Sequence, residues 1–173
     1  MRQILEYVDV VIGNEEDASD VLGISAEGTE LEKGVLHIAG YESVAAKVAE
    51  QFPNVKKVAI TLRESISASH NKWGAMLFDA DSKKACFAPV DGDGNYSPYE
   101  IRDIVDRVGG GNSFCAGLVY AMGSGRYEGD QLCLSFAVAA SCLKHSIKGD
   151  FNYVKESEVV SLMKGNASGR VKR

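Results

Sequence analysis

No two of the four cysteines, Cys86, Cys115, Cys133 and Cys142, form a C-x-x-C pair, and three of them lie in apolar, helix-like surroundings. Buried free thiols in a reducing cytosol are the reading that follows. A surplus of basic residues is also missing. The net charge of −5 argues against a nucleic-acid or anionic-membrane surface. The basic tail (Lys164, Arg170, Lys172, Arg173) is too short to reverse that and reads as a solvated terminus. There is no long apolar run either: the longest, near Leu132 to Leu143, is broken by Ser135 and Ser141 and falls short of the ~20 residues a membrane span needs. Met1 to Tyr7 is short and mixed, not a secretory signal. The expectation is a cytoplasmic protein. Internal repeats, low-complexity segments, a G-x-S-x-G nucleophile elbow, a G-K-[ST] phosphate loop and a G-x-G-x-x-G dinucleotide fingerprint are all absent.

What remains is an ordinary globular composition. The chain has 173 residues, 45% hydrophobic and 25% charged, enough for one domain with a real core. Val8–Ile12 reads as a buried strand, followed by a short helix over Ala18–Leu22 that Gly23 stops. Tyr41–Phe52 has a helical period that Pro53 ends. Lys57–Leu62 is a second buried strand, and Trp73–Phe78 with Ala85–Ala88 reads as a hairpin around Asp81-Ser82. Ile101–Val105 reads as a further strand. Helices follow over Gly111–Met122, Gly129–His145 and Glu156–Met163, the last stopped by Gly165. This alternation predicts an α/β domain with a mostly parallel sheet. Asp91–Pro98 is expected to be a solvent-facing loop.

Asp106-Arg107-Val108-Gly109-Gly110-Gly111-Asn112-Ser113-Phe114 carries the clearest chemical signal. Three consecutive glycines between an apolar run and a long helix let the backbone approach a ligand and aim free N–H groups at it. A helix N-terminus also favours phosphate through its partial positive charge. The loop reads as a phosphate cradle, with a capped helix start (Asn112 or Ser113 as cap) as the plain alternative. Asp106, placed at a strand end, either holds a cation or pairs with Arg107 or Arg102. Asn14-Glu15-Glu16-Asp17 either contributes to a water-mediated Mg²⁺ site or caps a helix. Thr61 and Arg63 end the second strand, where a hydroxyl and a guanidinium suit phosphate oxygens; an exposed arginine is equally ordinary. Asp91-Gly92-Asp93-Gly94-Asn95 imitates a calcium loop but has Tyr96 and Arg102 where glycine and glutamate are needed. His37, His70 and His145 lack metal-ligand spacing.

The glycine segment resembles the D-x-x-G-x-G-D signature of ribokinase-like (PfkB) sugar kinases. Asn14–Asp17 is similar to the family's N-x-x-E motif, with Asp17 in place of glutamate. The strand around Ile60-Thr61-Leu62-Arg63 is similar to the one that brings a threonine to the nucleotide phosphates. Phe136–Ser141, leading to Gly149, resembles the helix beside the adenine, which makes Val138 and Ser141 candidate nucleotide contacts. The glycine loop, Ile60–Ser65 and Lys144–Asp150 are most similar to 2-keto-3-deoxygluconate kinases. The resemblance covers nearly all of this chain but only about the C-terminal half of a family member.

The resemblance implies a partial ribokinase-like three-layer α/β/α fold. Residues 1–173 would form a single nucleotide-binding half, with the acceptor-binding half absent and Met1 similar to an internal residue. It implies ATP and Mg²⁺, with K⁺ at Asp106 as a candidate, and phosphorylation of a sugar acid. Gly109, Gly110 and Gly111 would hold developing charge on the phosphate. Asn112 falls where the family keeps its aspartate base, and an amide has no usable basicity. Impaired turnover is expected, with a non-catalytic nucleotide- or anion-binding module as the rival. An exposed sheet edge makes a homo-oligomer the expected state.

Overall fold

The computed structural model describes residues 1–24 and 38–165. His37 and the tail residues Arg170, Lys172 and Arg173 lie outside the described residues. The elements run α1 (Arg2–Leu5), β1 (Val10–Gly13), α2 (Glu15–Leu22), α3 (Ile38–Gln51), β2 (Lys57–Ser67), β3 (His70–Asp79), β4 (Lys84–Ala88), β5 (Tyr99–Ile101), α4 (Gly110–Ser124), α5 (Asp130–Lys144) and α6 (Glu156–Met163).

Among the described residues the five strands form one sheet in the order β1-β2-β3-β4, with β5 also paired to β3. Side chains alternate between its faces, as strand geometry requires. Ala59 of β2, Trp73, Ala75 and Leu77 of β3 and Ala88 of β4 pack with Phe114, Leu118, Leu134 and Val138 of α4 and α5. The intervening residues Val58, Ile60, Leu62, Met76 and Phe78 pack with Leu22, Val44, Val48 and Phe52 on the other side. Helices therefore cover both faces, giving the expected α/β/α layering. Each fully buried leucine or phenylalanine contributes roughly 1.5–3 kcal/mol. Lys57 pins three elements together, its Nζ lying 2.8 Å from Asp79 and 2.7 Å from Asp130 at the start of α5; the Lys57 ammonium draws the Asp79 carboxyl well below the ordinary carboxylate range.

The sheet is mixed. β1 and β2 pair in parallel, and a helical crossover joins them as such pairing demands. The pairs β2–β3, β3–β4 and β3–β5 are antiparallel. Tight turns join β2 to β3 and β3 to β4, and tight turns produce antiparallel neighbours. Over this chain the sheet is thus more antiparallel than the alternation of segments implies.

Two strand expectations need correction. β2 continues past Leu62 to Ser67, through a polar stretch that does not look like a buried strand, and pairs with a β3 that begins at His70. The strand expected over Ile101–Val105 is the short β5, Tyr99–Ile101. Beyond it Asp103 adopts a positive φ of 56°. The Ile104 N–H then bonds to Ser69, and those of Val105 and Asp106 bond to the His145 carbonyl. These donors leave the sheet and tie the chain to the end of α5. The cysteines also differ in part from expectation. All four are free; Cys133 is buried and Cys86 and Cys142 are half-buried, but Cys115 is exposed.

Candidate functional site

The glycine loop opens α4, and its glycines are there for different reasons. Gly109 is the N-cap residue in the left-handed region, φ 83°. A Cβ there would collide with the Asp150 backbone carbonyl and come 2.7 Å from its Oδ1. A Cβ on Gly110 would press on the His145 ring at 3.1 Å. Gly111 is the exception, because nothing lies within 4 Å of where its Cβ would be. Packing against the rest of the protein does not require glycine at 111. The helix has no side-chain cap hydrogen bond and no acid in its first turn; the Gly110 N–H donates to the Arg107 carbonyl at 3.3 Å, and the helix start is otherwise without a side-chain cap.

The loop is clasped from beneath. Asp106 Oδ1 accepts from Val108 N–H at 3.0 Å and Oδ2 from Gly149 N–H at 2.8 Å. These backbone donors hold its carboxyl below the usual range. Asp106 therefore joins the glycine loop to the 145–150 segment, and it lies in irregular chain rather than at the end of a parallel strand. Arg107 Nη2 donates to the Ser67 carbonyl at 2.7 Å and to Asn71 Oδ1 at 3.1 Å. Asp106 and Arg107 thus make two separate clasps, and the expected pairing between them is not what their hydrogen bonds show. His145 is buried, with Nδ1 2.8 Å from the Ser141 carbonyl and its ring edge-on to Trp73. A carbonyl only accepts, so Nδ1 carries the proton. Burial pushes the His145 pKa down. Lys144, fully buried, donates to the Ile147 carbonyl at 2.9 Å.

A cleft of about 550 Å³ runs from Asn112 along α4 and α5 to Glu156. Tyr120, Phe136, Ala140 and Val154 give it apolar walls. Asn112 Nδ2 donates to Asp150 Oδ1 at 3.4 Å at the glycine end. At the far end Arg126 donates to two lining residues, Tyr120 at 3.1 Å and Glu156 at 2.7 Å, and Tyr127 donates to Glu156 at 2.9 Å. Burial beside Glu156 pushes the Tyr127 phenol up to about 12. Phe151 stands 73% exposed on the cleft rim. A second cavity of about 660 Å³, lined by Tyr7, Asp9, Asn54 and Lys56 among others, lies at the opposite end of the β1–β2 pair. It adjoins no glycine loop.

The other expected site residues are distributed unevenly. Thr61 and Arg63 point to the same sheet face as Ala59, half-buried and exposed respectively, opposite Ala75 and Trp73. Asn14 and Asp17 form a capping box: Asp17 N–H donates to Asn14 Oδ1 at 2.7 Å and Asn14 N–H to Asp17 Oδ2 at 3.0 Å. Among the described residues no three His, Cys, Asp or Glu side chains gather as a metal cluster. Val138 and Ser141 require correction as nucleotide contacts. Both are 0% exposed. Ser141 Oγ accepts from Trp73 Nε1 at 2.7 Å and donates to the Val138 carbonyl at 3.0 Å. They hold α5 to the sheet, and the cleft wall is made instead by Phe136 and Ala140 of the same helix. Asp150, named in the sequence only as the last residue of the Lys144–Asp150 segment, lines the glycine end of the cleft.

No family model and no curated protein matches the chain. Solved structures do. A 2-dehydro-3-deoxygluconokinase from Thermotoga maritima is 43% identical, with TM-score 0.77, over 94% of this chain and 43% of that one. A PfkB family carbohydrate kinase from Listeria grayi is 28% identical, with TM-score 0.72, over the same shares. A candidate ribokinase II from E. coli, solved with ATP and Mg²⁺, shares the fold at 16% identity and TM-score 0.59, over 95% of this chain and 42% of that one. The layers, the glycine-opened helix and these likenesses define a ribokinase-like α/β protein. More narrowly, the chain belongs to the PfkB family of carbohydrate kinases, and it spans less than half the length of the relatives it matches.

Proposed function

We propose that residues 1–173 are the nucleotide-binding part of an ATP-dependent kinase acting on a hydroxyl of a sugar acid of the 2-keto-3-deoxygluconate kind. The observation that carries this reading is the 43% identity to a 2-dehydro-3-deoxygluconokinase across 94% of the chain. ATP suits the cleft described above: its phosphates at the Asn112 end, next in the chain to the sterically open Gly111, and its base along the apolar walls. In this reading the loop of Gly109, Gly110 and Gly111 lies against the transferring phosphate, offering it backbone N–H groups other than that of Gly110, which donates to the Arg107 carbonyl, and Asn112 stands beside the reacting oxygen. Thr61 and Arg63 are the proposed further phosphate contacts. Mg²⁺ commonly needs only one or two carboxylates besides water and phosphate. Asn14 and Asp17 would hold it through water. Bound ATP with Mg²⁺ supplies the phosphoryl group and neutralises its charge. We assign the activity to the cytoplasm, and self-association to the free edge of β1, whose described neighbour is β2 alone.

One observation favours the second reading, a nucleotide- or anion-binding module without turnover: Asn112 is an amide where a base is expected. A coupled assay with ATP, Mg²⁺ and 2-keto-3-deoxygluconate separates the two. Sugar-acid-dependent ADP release supports the kinase. ADP–Mg²⁺ binding without any turnover, in this chain and in its Asn112→Asp variant, supports the module.

A further inference from the structure

Asn112 ends in an amide, but a carboxylate reaches the same place from a different part of the chain. Asp150 Oδ1 accepts from Asn112 Nδ2 at 3.4 Å, and both residues line the glycine end of the cleft. Asp150 is held there by more than this one bond. Its backbone carbonyl packs so closely on Gly109 that only glycine is tolerated there. The preceding residue, Gly149, is tied through its N–H to Asp106 at 2.8 Å, and Asp106 in turn accepts from Val108 N–H in the glycine loop. The segment carrying Asp150 and the loop carrying Asn112 are therefore one rigid assembly. The Asp150 side chain is also exposed toward the cleft, whereas Asp106 spends both carboxylate oxygens on backbone donors.

We propose that Asp150 is the proton acceptor of the phosphoryl transfer and that Asn112 positions it. The inference rests on the kinase reading above. The acceptor hydroxyl oxygen forms a bond to the γ-phosphorus while the bond from that phosphorus to the β–γ bridging oxygen breaks. The bonding pair stays on the bridging oxygen, ADP is the leaving group, and the hydroxyl proton passes to the Asp150 carboxylate. The Asn112 N–H holds the carboxylate in place, a job that an amide does as well as any donor. An acid at 112 could not donate that bond, but could itself accept the hydroxyl proton.

The test uses the whole chain, Asp150→Asn, Asn112→Asp and the double variant. ADP–Mg²⁺ binding is measured by calorimetry, and transfer is measured from radiolabelled ATP to 2-keto-3-deoxygluconate. Asp150→Asn is expected to bind ADP–Mg²⁺ as the wild type does and to lose about 100-fold in transfer rate, the usual contribution of a general base. In the Asn112→Asp background, where a second carboxylate is present, the same change is expected to cost little. The assignment is overturned if Asp150→Asn transfers at the wild-type rate, if it costs equally in both backgrounds, or if nucleotide-bound wild type transfers nothing. Failure of the wild type to bind nucleotide at all is a different outcome: it removes the kinase reading, and the inference falls with it.

Discussion

Two helices in this molecule begin just after apolar segments, and they begin in opposite ways. Helix α2 closes on itself: Asn14 and Asp17 exchange side-chain and backbone hydrogen bonds, so its first orphan donors find partners within the protein. Helix α4 begins at a left-handed glycine with no side-chain cap and no acid in its first turn, at the mouth of a cleft. A chain that needed only to start a helix had the first solution at hand. The second costs backbone entropy at each glycine and gives up the side-chain cap, which makes sense where a ligand supplies an acceptor at the helix start.

The comparison can be broken at several points. The largest effect is expected at Gly109. Gly109→Ala forces an alanine into the left-handed region, worth about 1–2 kcal/mol, and drives its Cβ into Asp150. Thermal unfolding should show a loss beyond the dihedral cost alone, and nucleotide binding should be lost with the loop. Ser141→Ala comes next. It strands the buried Trp73 N–H, at a cost of about 1–3 kcal/mol, yet leaves ADP–Mg²⁺ affinity unchanged, because Ser141 does not reach the cleft. An affinity loss would restore Ser141 as a nucleotide contact. Asn14→Ala removes the α2 cap and should cost about 1 kcal/mol in denaturant melts. Its effect on ADP binding should be confined to conditions where Mg²⁺ is present.

The smallest effect is pH-dependent. Burial holds the His145 pKa below its ordinary value, so the unfolded chain takes up a proton that the folded chain refuses. The folded state is therefore destabilised as pH falls below about 6.5. Lys144 and Arg107, both cationic, deepen that depression. A series of melting temperatures across that window should decline in the wild type and decline less in His145→Asn. Equal slopes would remove His145 from the account.

Much of this was legible in the sequence, and the misses have physical causes. The apolar strands and the amphipathic helices stood out because burial imposes a period. The Arg63–Ser67 extension of β2 did not, because an edge of hairpin reaching into solvent needs no apolar pattern. The strand expected through Val105 failed because Ile104 and Val105 look like a strand while their N–H groups go to Ser69 and to the His145 carbonyl at the end of α5. The glycine-opened start of α4 was visible as three glycines, but their separate reasons were not: only the fold reveals that Asp150 and His145 account for Gly109 and Gly110 and leave Gly111 unexplained by packing. Val138 and Ser141 were assigned by position on the right helix but face its core side. The Asn112–Asp150 contact joins residues 38 positions apart, a distance at which local pattern carries no information.

Calorimetric titration of the chain and of Gly111→Val with ADP–Mg²⁺ tests most directly whether α4 starts uncapped in order to hold phosphate. A Cβ at 111 would have no atom of the surrounding protein within 4 Å, so the variant should stay folded. Wild type should bind with a Kd below about 1 mM, an affinity of at least ~4 kcal/mol, and Gly111→Val should bind at least tenfold more weakly with its melting temperature nearly unchanged. No heat from the wild type, or equal affinity in the two proteins, would contradict the account.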